Sequence, residues 1–199
     1  MAVALVLATR NPGKLAELKA LLEAFPVVLH AASDFPGAPE VMEDAATLEG
    51  NAVRKARALQ EYTGLPALAD DTGLEVEALG GQPGVHSARF AGPQATDAEN
   101  RAHLLRLLEG VTNRRARFRT VLAFAPDAQT LHLFEGVCSG YILEAERGQG
   151  GFGYDPLFVP EGYTQTFAEL SLEEKNQISH RGQALRAFAR FLEQWLNKV

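Results

Sequence analysis

The chain opens with an apolar run, Ala2 to Ala8, that passes through Thr9-Arg10-Asn11-Pro12-Gly13-Lys14 directly into a helical pattern. Asn11 is placed to cap that helix, Pro12 falls at its first position, and Leu15, Leu18, Leu22 and Phe25 form one apolar stripe. A buried strand is thereby joined to a helix N-terminus by a loop carrying two cations, Arg10 and Lys14. The first N–H groups of a helix lack partners and the helix dipole adds partial positive charge, so the join predicts a phosphate or carboxylate site. It is not a Walker A loop: the first glycine of G-x-x-x-x-G-K-[ST] is missing and Leu15 follows the lysine. The plain alternative is two solvated cations on a surface loop.

Val27 to His30 predicts a second strand, and residues 33–46 a loop rich in Pro, Asp and Glu. A second helix starts at Thr47, carries Leu48, Ala52, Ala56 and Leu59 on its apolar side, and stops at Gly64 and Pro66. Ala67 to Ala69 and Leu74 to Val76 read as strand pieces flanking Asp70-Asp71-Thr72-Gly73, and residues 80–95 as a Gly/Pro-rich loop. Thr96-x-x-Glu99 is a capping box for a helix to about Glu109. Phe118 to Ala125 and Thr130 to Leu143 alternate as long antiparallel strands around a turn at Pro126-Asp127. Gly148 to Asp155 is a glycine loop, Ser171-x-x-Glu174 caps a short helix, and a final helix from near Ser179 shows Leu185, Phe188, Leu192 and Trp195. The order βαβα, then strands, then helices predicts an α/β fold with a mixed sheet and helices on both faces. The 199 residues suit one domain, residues 1–199, or two lobes sharing one sheet.

The net charge of −6 argues against a nucleic-acid duplex or an anionic membrane as the main partner. Any polyanionic ligand must instead meet a local basic pocket. A single cysteine, Cys138, excludes an intrachain disulfide and zinc-type spacing, and reads as a small buried hydrophobe. No run approaches the ~18 apolar residues of a membrane span, and the apolar N-terminus lacks a basic leader region, so a cytoplasmic location is expected.

Asp70-Asp71 is the second chemical constellation. Two adjacent carboxylates at a strand end are costly unless a cation compensates them. One can then ligate Mg²⁺ while the other orients or deprotonates a water; the same four residues also read as ordinary turn chemistry. Glu40, Glu43, Asp44 and Glu49 form an acidic stretch, mostly a solvated face, of which one member can reach a metal. Asn51 and Lys55 lie one turn apart on a face distinct from the Ala52/Ala56 stripe. Gly148-Gln149-Gly150-Gly151-Phe152-Gly153 matches G-x-G-x-x-G, but the residues that follow, through Pro156 and Pro160, look extended rather than helical. That excludes the dinucleotide fingerprint and leaves a loop that brings backbone close to a flat ligand, with Phe152 as a stacking platform or as plain core. Ser179-His180-Arg181 begins four residues after Lys175, so Lys175, His180 and Arg181 gather as three cationic donors near one helix N-terminus. They suit carbonyl oxygens of a base as well as phosphates.

Together these segments resemble the Ham1/RdgB family of inosine triphosphatase-like pyrophosphatases, which act on non-standard purine nucleoside triphosphates. The resemblance covers about residues 3–195. It is carried by Leu7 to Lys14, Asn51-Ala52 with Lys55-Ala56, Ala69 to Leu74, Pro83 to Arg89, Gly150 to Pro156 and Ser179 to Gly182. It implies a two-lobed α/β homodimer with a long mixed central sheet and a cleft between lobes. The implied reaction cleaves ITP, dITP or XTP to the monophosphate and pyrophosphate with Mg²⁺. By position, Thr9, Arg10, Asn11, Pro12, Gly13 and Lys14 would hold the triphosphate. Asp71 would be the general base and, with Glu43, bind metal; Asp70 would assist, and Thr72 would contact substrate. Lys55 and Lys175 would neutralise phosphates. Phe152, Gly153, Tyr154, Asp155, His180 and Arg181 would enclose the purine and read its 6-oxo group. The acidic loop departs from the family pattern, with Glu43-Asp44-Ala45-Ala46 ahead of Thr47-Leu48-Glu49-Gly50-Asn51, so Glu40 and Asp44 stay open beside Glu43 as metal ligands. Two alternatives remain: a Maf-like pyrophosphatase, disfavoured because Thr9 to Lys14 differs from that group's Ser-x-Ser-Pro-Arg-Arg type start, and a non-catalytic nucleotide-binding protein.

Overall fold

Val3–Leu7 forms strand β1, with Leu5 and Leu7 buried on one side and Val6 on the other. This is a computed structural model, and it describes residues 2–198; Met1 and Val199, the two ends of the expected domain, lie outside the described residues. Helix α1 (Pro12–Leu22), strand β2 (Val27–Ala31), helix α2 (Leu48–Thr63) and strand β3 (Ala67–Val76) follow. Then come helix α3 (Asp97–Leu107), strands β4 (Arg115–Ala125), β5 (His132–Ile142) and β6 (Phe158–Pro160), and helices α4 (Leu172–Ile178) and α5 (His180–Leu196). The six strands make one sheet in the order β2-β1-β3-β4-β5-β6. β1 runs parallel to β2 and β3, pairing Val6 with His30 and Ala67, while β5 and β6 are antiparallel. The sheet is therefore mixed and the class is α/β.

The chain divides into two compact units, residues 1–71, 120–136 and 181–199, and residues 72–119 and 137–180. In the first, Leu5, Leu7, Leu68, Leu122 and Phe124 pack with Leu18 and Leu22 of α1 and Ala184, Leu185, Phe188 and Leu192 of α5. On the opposite face of β1, Val6 and Ala67 pack with Leu59 of α2. The period-2 alternation of the strands thus feeds two helical layers. The second unit has its own core, in which Leu74, Val76, Phe118, Cys138, Ile142, Leu157 and Phe158 meet Leu104 and Leu108.

The helix signals hold. Asn11 accepts from the N–H groups of Gly13 and Lys14, and Thr96–Glu99 and Ser171–Glu174 form reciprocal capping boxes. Gly64 ends α2 in the left-handed conformation, φ 67°. One expectation fails: the two strand pieces around Asp70-Asp71-Thr72-Gly73 are one continuous strand, β3. The carboxylates stay in the sheet because basic side chains distant in sequence compensate them there. The stretch after the glycine loop also differs, since Asp155–Leu157 is a short 3₁₀ turn before β6.

Candidate active site

Asp70 and Asp71 lie side by side in β3, both buried. Successive strand residues face opposite ways, and each acid meets a different helix. Lys14 of α1 brings Nζ to 3.2 Å from Asp70 Oδ2, and Arg181, at the start of α5, brings Nε to 3.4 Å from the same oxygen. Arg181 also pairs through Nη1 with Glu17, one turn after Lys14 on α1. Burial alone would raise the Asp70 carboxyl; Lys14 and Arg181 outweigh it and hold the group well below the usual carboxylate range.

Asp71 faces α2. Asn51 Nδ2 donates to its Oδ2 at 3.0 Å, and Lys55 Nζ stands 3.5 Å from its Oδ1. The i,i+4 face expected for Asn51 and Lys55 therefore points at this acid. Burial pushes the Asp71 carboxyl up despite Lys55 and Lys14, and the charge of Glu43 adds to the rise. Lys55 also donates to the Asp70 backbone carbonyl. Desolvation would lower Lys55, but Asp70, Asp71 and Glu43 hold it above its ordinary value.

The acidic stretch sorts itself by partner. Glu40 lies near Arg10 and Asp44 pairs with Arg54, both at the surface. Glu43 Oε1 accepts from Lys55 Nζ at 2.6 Å, and Lys55, against the cost of burial, holds the Glu43 carboxyl below its usual value. Glu43 and Asp71 thus converge on one cation position, now filled by the Lys55 ammonium. Among the described residues no cluster of three or more His, Cys, Asp or Glu could cage a metal. Two hard carboxylates on one cation position, with further ligands left to water and phosphate oxygens, nevertheless fit a hard divalent cation.

In the opening loop the Thr9 hydroxyl accepts from the Asn11 N–H, and Arg10 donates to the Ala38 carbonyl. The two N–H groups expected to meet an anion, those of Gly13 and Lys14, go to Asn11 Oδ1.

The remaining expected residues belong to the second unit. Thr72 is half-buried in β3. Lys175 is 3% exposed and donates to Asp155 Oδ2 at 2.7 Å, with its ammonium 4.8 Å from the centroid of the Phe152 ring. The same Asp155 oxygen accepts from the Phe152 N–H. The Tyr154 hydroxyl donates to the Ser87 carbonyl at 2.6 Å, and burial pushes its pKa up. His180 is buried, stacked on Phe118 with ring centroids 4.6 Å apart. Cys138 is buried as expected, its thiol raised to about 11 by desolvation.

The sequence reading missed Glu17. It is 2% exposed beside the apolar Leu18 and Leu22, and a carboxylate in a buried stripe is itself the signal, since it demands a cationic partner.

The model of the Ham1 family matches residues 5–191. A curated dITP/XTP pyrophosphatase of Desulforamulus reducens is 55% identical, covering 92% of both chains. That of Syntrophobacter fumaroxidans is 53% identical over 97% of this chain and 84% of its own. The solved structure of a HAM1 protein from Coxiella burnetii superposes with a TM-score of 0.89 at 41% identity, covering 96% of this chain and 99% of that one. With a family model spanning most of its length and relatives above half identity, the chain belongs to the Ham1 family.

Proposed function

We propose that the chain hydrolyses ITP, dITP and XTP to the monophosphate and pyrophosphate, removing non-standard purine nucleotides from the pool. The observation that supports this best is the set of cations on Asp70-Asp71: Lys14, Lys55 and Arg181 reach two adjacent buried carboxylates in a chain of net charge −6. The carboxylates hold the lysines in place, and a polyanion entering there meets preorganised positive charge.

The two acids divide the work. Asp70, locked between Lys14 and Arg181, stays ionised and anchors them. Asp71 is the general base. Its Oδ2 is held by Asn51, so Oδ1 takes the proton of the attacking water. Water adds in line to phosphorus, the α–β phosphoanhydride bond breaks, and pyrophosphate leaves. Glu43 and Asp71 would hold Mg²⁺, which supplies charge neutralisation at the phosphoryl oxygens when bound. Thr9 to Lys14 and Lys55 hold the triphosphate, and Thr72 contacts substrate. Phe152 to Asp155, oriented by Lys175, take the purine, with His180 and Arg181 as donors toward its 6-oxo oxygen. A donor there leaves an unmet pair with the adenine amino group, a mismatch that discriminates strongly. A cytoplasmic homodimer working apart from nucleic acid and membrane completes the reading. In support, the net charge of −6 disfavours a polyanionic partner such as a nucleic-acid duplex or an anionic membrane.

The test is pyrophosphate release from ITP, dITP, XTP, GTP, ATP and dTTP with Mg²⁺. Release from the first three at the highest kcat/KM is expected. Preference for ATP or dTTP overturns the specificity, and orthophosphate as sole inorganic product overturns the cleavage position.

A further inference from the structure

Gly153 sits at φ 61° between Phe152 and Tyr154, so its backbone angles set where the Phe152 ring and the Tyr154 phenol go. Both polar groups of this residue are captured by α3. Its N–H donates to Asp97 Oδ2 at 2.8 Å, and its carbonyl accepts from Arg101 Nη1 at 2.8 Å. Asp97 and Arg101 are one helical turn apart, so α3 presents an acceptor and a donor side by side, much as a strand edge does. Arg101 is itself fixed by Glu146, its Nε lying 2.7 Å from Oε1. Asp97 is free for this task because another residue, Thr96, caps the helix.

We infer that Asp97 and Arg101 are positioning residues for base recognition: they hold Gly153 so that Phe152 presents a fixed face to the purine. The inference rests on the proposal that the Phe152 loop takes the base. Without the clamp, the loop keeps its internal ties, Phe152 N–H and Lys175 on Asp155 and Tyr154 on Ser87, but loses its tie to a long helix. A ring free to move costs affinity for the base and leaves phosphate chemistry alone.

The test compares Asp97→Ala, Asp97→Asn and Phe152→Ala with wild type in ITP hydrolysis, and in binding of two probes measured by calorimetry, IMP and inorganic tripolyphosphate. Asp97→Ala is expected to raise KM for ITP and Kd for IMP about tenfold, roughly one charge-assisted hydrogen bond. It should leave kcat within about twofold and tripolyphosphate binding unchanged. Asp97→Asn keeps an acceptor oxygen and should restore most of the affinity, which a variant that merely weakened α3 would not do. Thermal unfolding of each variant checks that the fold survives, and Arg101→Gln supplies the same comparison at the carbonyl. If Phe152→Ala loses IMP affinity while Asp97→Ala and Arg101→Gln bind IMP as wild type does, the clamp is overturned and the base site stands. If Phe152→Ala also binds IMP normally, the base-site assignment itself fails and the inference with it. Equal losses for IMP and tripolyphosphate in Asp97→Ala overturn the positioning role.

Discussion

Asp70 and Asp71 are adjacent in one strand, yet their carboxyls shift in opposite directions, Asp70 down and Asp71 up. The pleat explains it. Alternate side chains leave a strand on opposite faces. Asp70 thereby meets α1 and α5, whose Lys14 and Arg181 surround it, while Asp71 meets α2, where Lys55 is shared with Glu43. One acid is oversupplied with positive charge and the other undersupplied. Two consecutive residues thus give one carboxylate held ionised and one whose proton affinity is raised, the pairing that the proposed hydrolysis calls for.

The opposite shifts make the two acids opposite in stability. Unfolded, both carboxyls titrate at about 3.9. The folded value of Asp70 lies below that, so its ionisation stabilises the fold above about pH 4 and that contribution is lost as pH falls. The folded value of Asp71 lies above it, so its charge opposes folding at neutral pH and the opposition vanishes in acid. In metal-free protein at pH 7, Asp70→Asn should lower stability by about 3–5 kcal/mol, because it removes the buried carboxylate that Lys14 and Arg181 share, leaving Arg181 only part of its compensation in Glu17. Asp71→Asn should raise Tm. Denaturant and thermal melts from pH 3 to 8 check both, and an equal loss in the two variants would refute the division.

The stabilising Asp71→Asn exchange should nevertheless abolish most turnover. A positioned general base contributes ~10²–10⁴-fold, and asparagine keeps the bond to Asn51 while losing the proton acceptor. ITP binding should persist. Single-turnover pyrophosphate release together with binding calorimetry separates the effects, and near-wild-type turnover would remove Asp71 from the role of base.

Mg²⁺ should stabilise the protein through Glu43 and Asp71. A ligand that binds only the folded state adds about 2.7 kcal/mol at a hundred times its Kd. A Tm rising with Mg²⁺ concentration is expected in wild type, and a flat response in Glu43→Gln combined with Asp71→Asn. Because Glu40 and Asp44 are drawn to Arg10 and Arg54, replacing either with its amide should leave the response intact.

What could be read in advance was local. The Asn11 cap, both capping boxes and the Gly64 stop depend on residues within a few positions, and all stand in the structure. The strand through Asp70-Asp71 was not legible, because the cations that keep two acids in a sheet come from three different helices. Glu17 was hidden for the same reason: its partner Arg181 is 164 residues away. The clamp on Gly153 was invisible because Asp97 reads as an ordinary first-turn acid, and its target lies 56 residues on.

Arg181 carries two assignments that a substitution separates. It is 1% exposed, with Glu17 and Asp70 on its guanidinium. If it also donates to the purine 6-oxo oxygen, Arg181→Lys should keep most of the ion pairing but lose the planar fork. KM for ITP should then rise far more than KM for ATP. Steady-state kinetics on both substrates decides the matter, since equal rises would confine Arg181 to the acid network.

Gly73 follows Asp70-Asp71-Thr72 in β3, and what it lacks is space. A Cβ there would stand 2.6 Å from the Gly84 carbonyl oxygen and 2.9 Å from its carbon. That carbonyl is not free to retreat: it accepts from Ser87 Oγ at 2.6 Å, and the same Oγ accepts from the Leu74 N–H at 2.9 Å. Backbone meets backbone on both sides, so Gly73→Ala must displace the strand or the turn. Overpacking of this kind costs about 1–3 kcal/mol, a fall of several degrees in Tm for a protein this size. The Ser87 lock gives the test its edge. In a Ser87→Ala background the carbonyl can move, so Gly73→Ala should cost at least ~0.5 kcal/mol less than in wild type. Strict additivity across that double-mutant cycle would show that the strain is relieved elsewhere along β3.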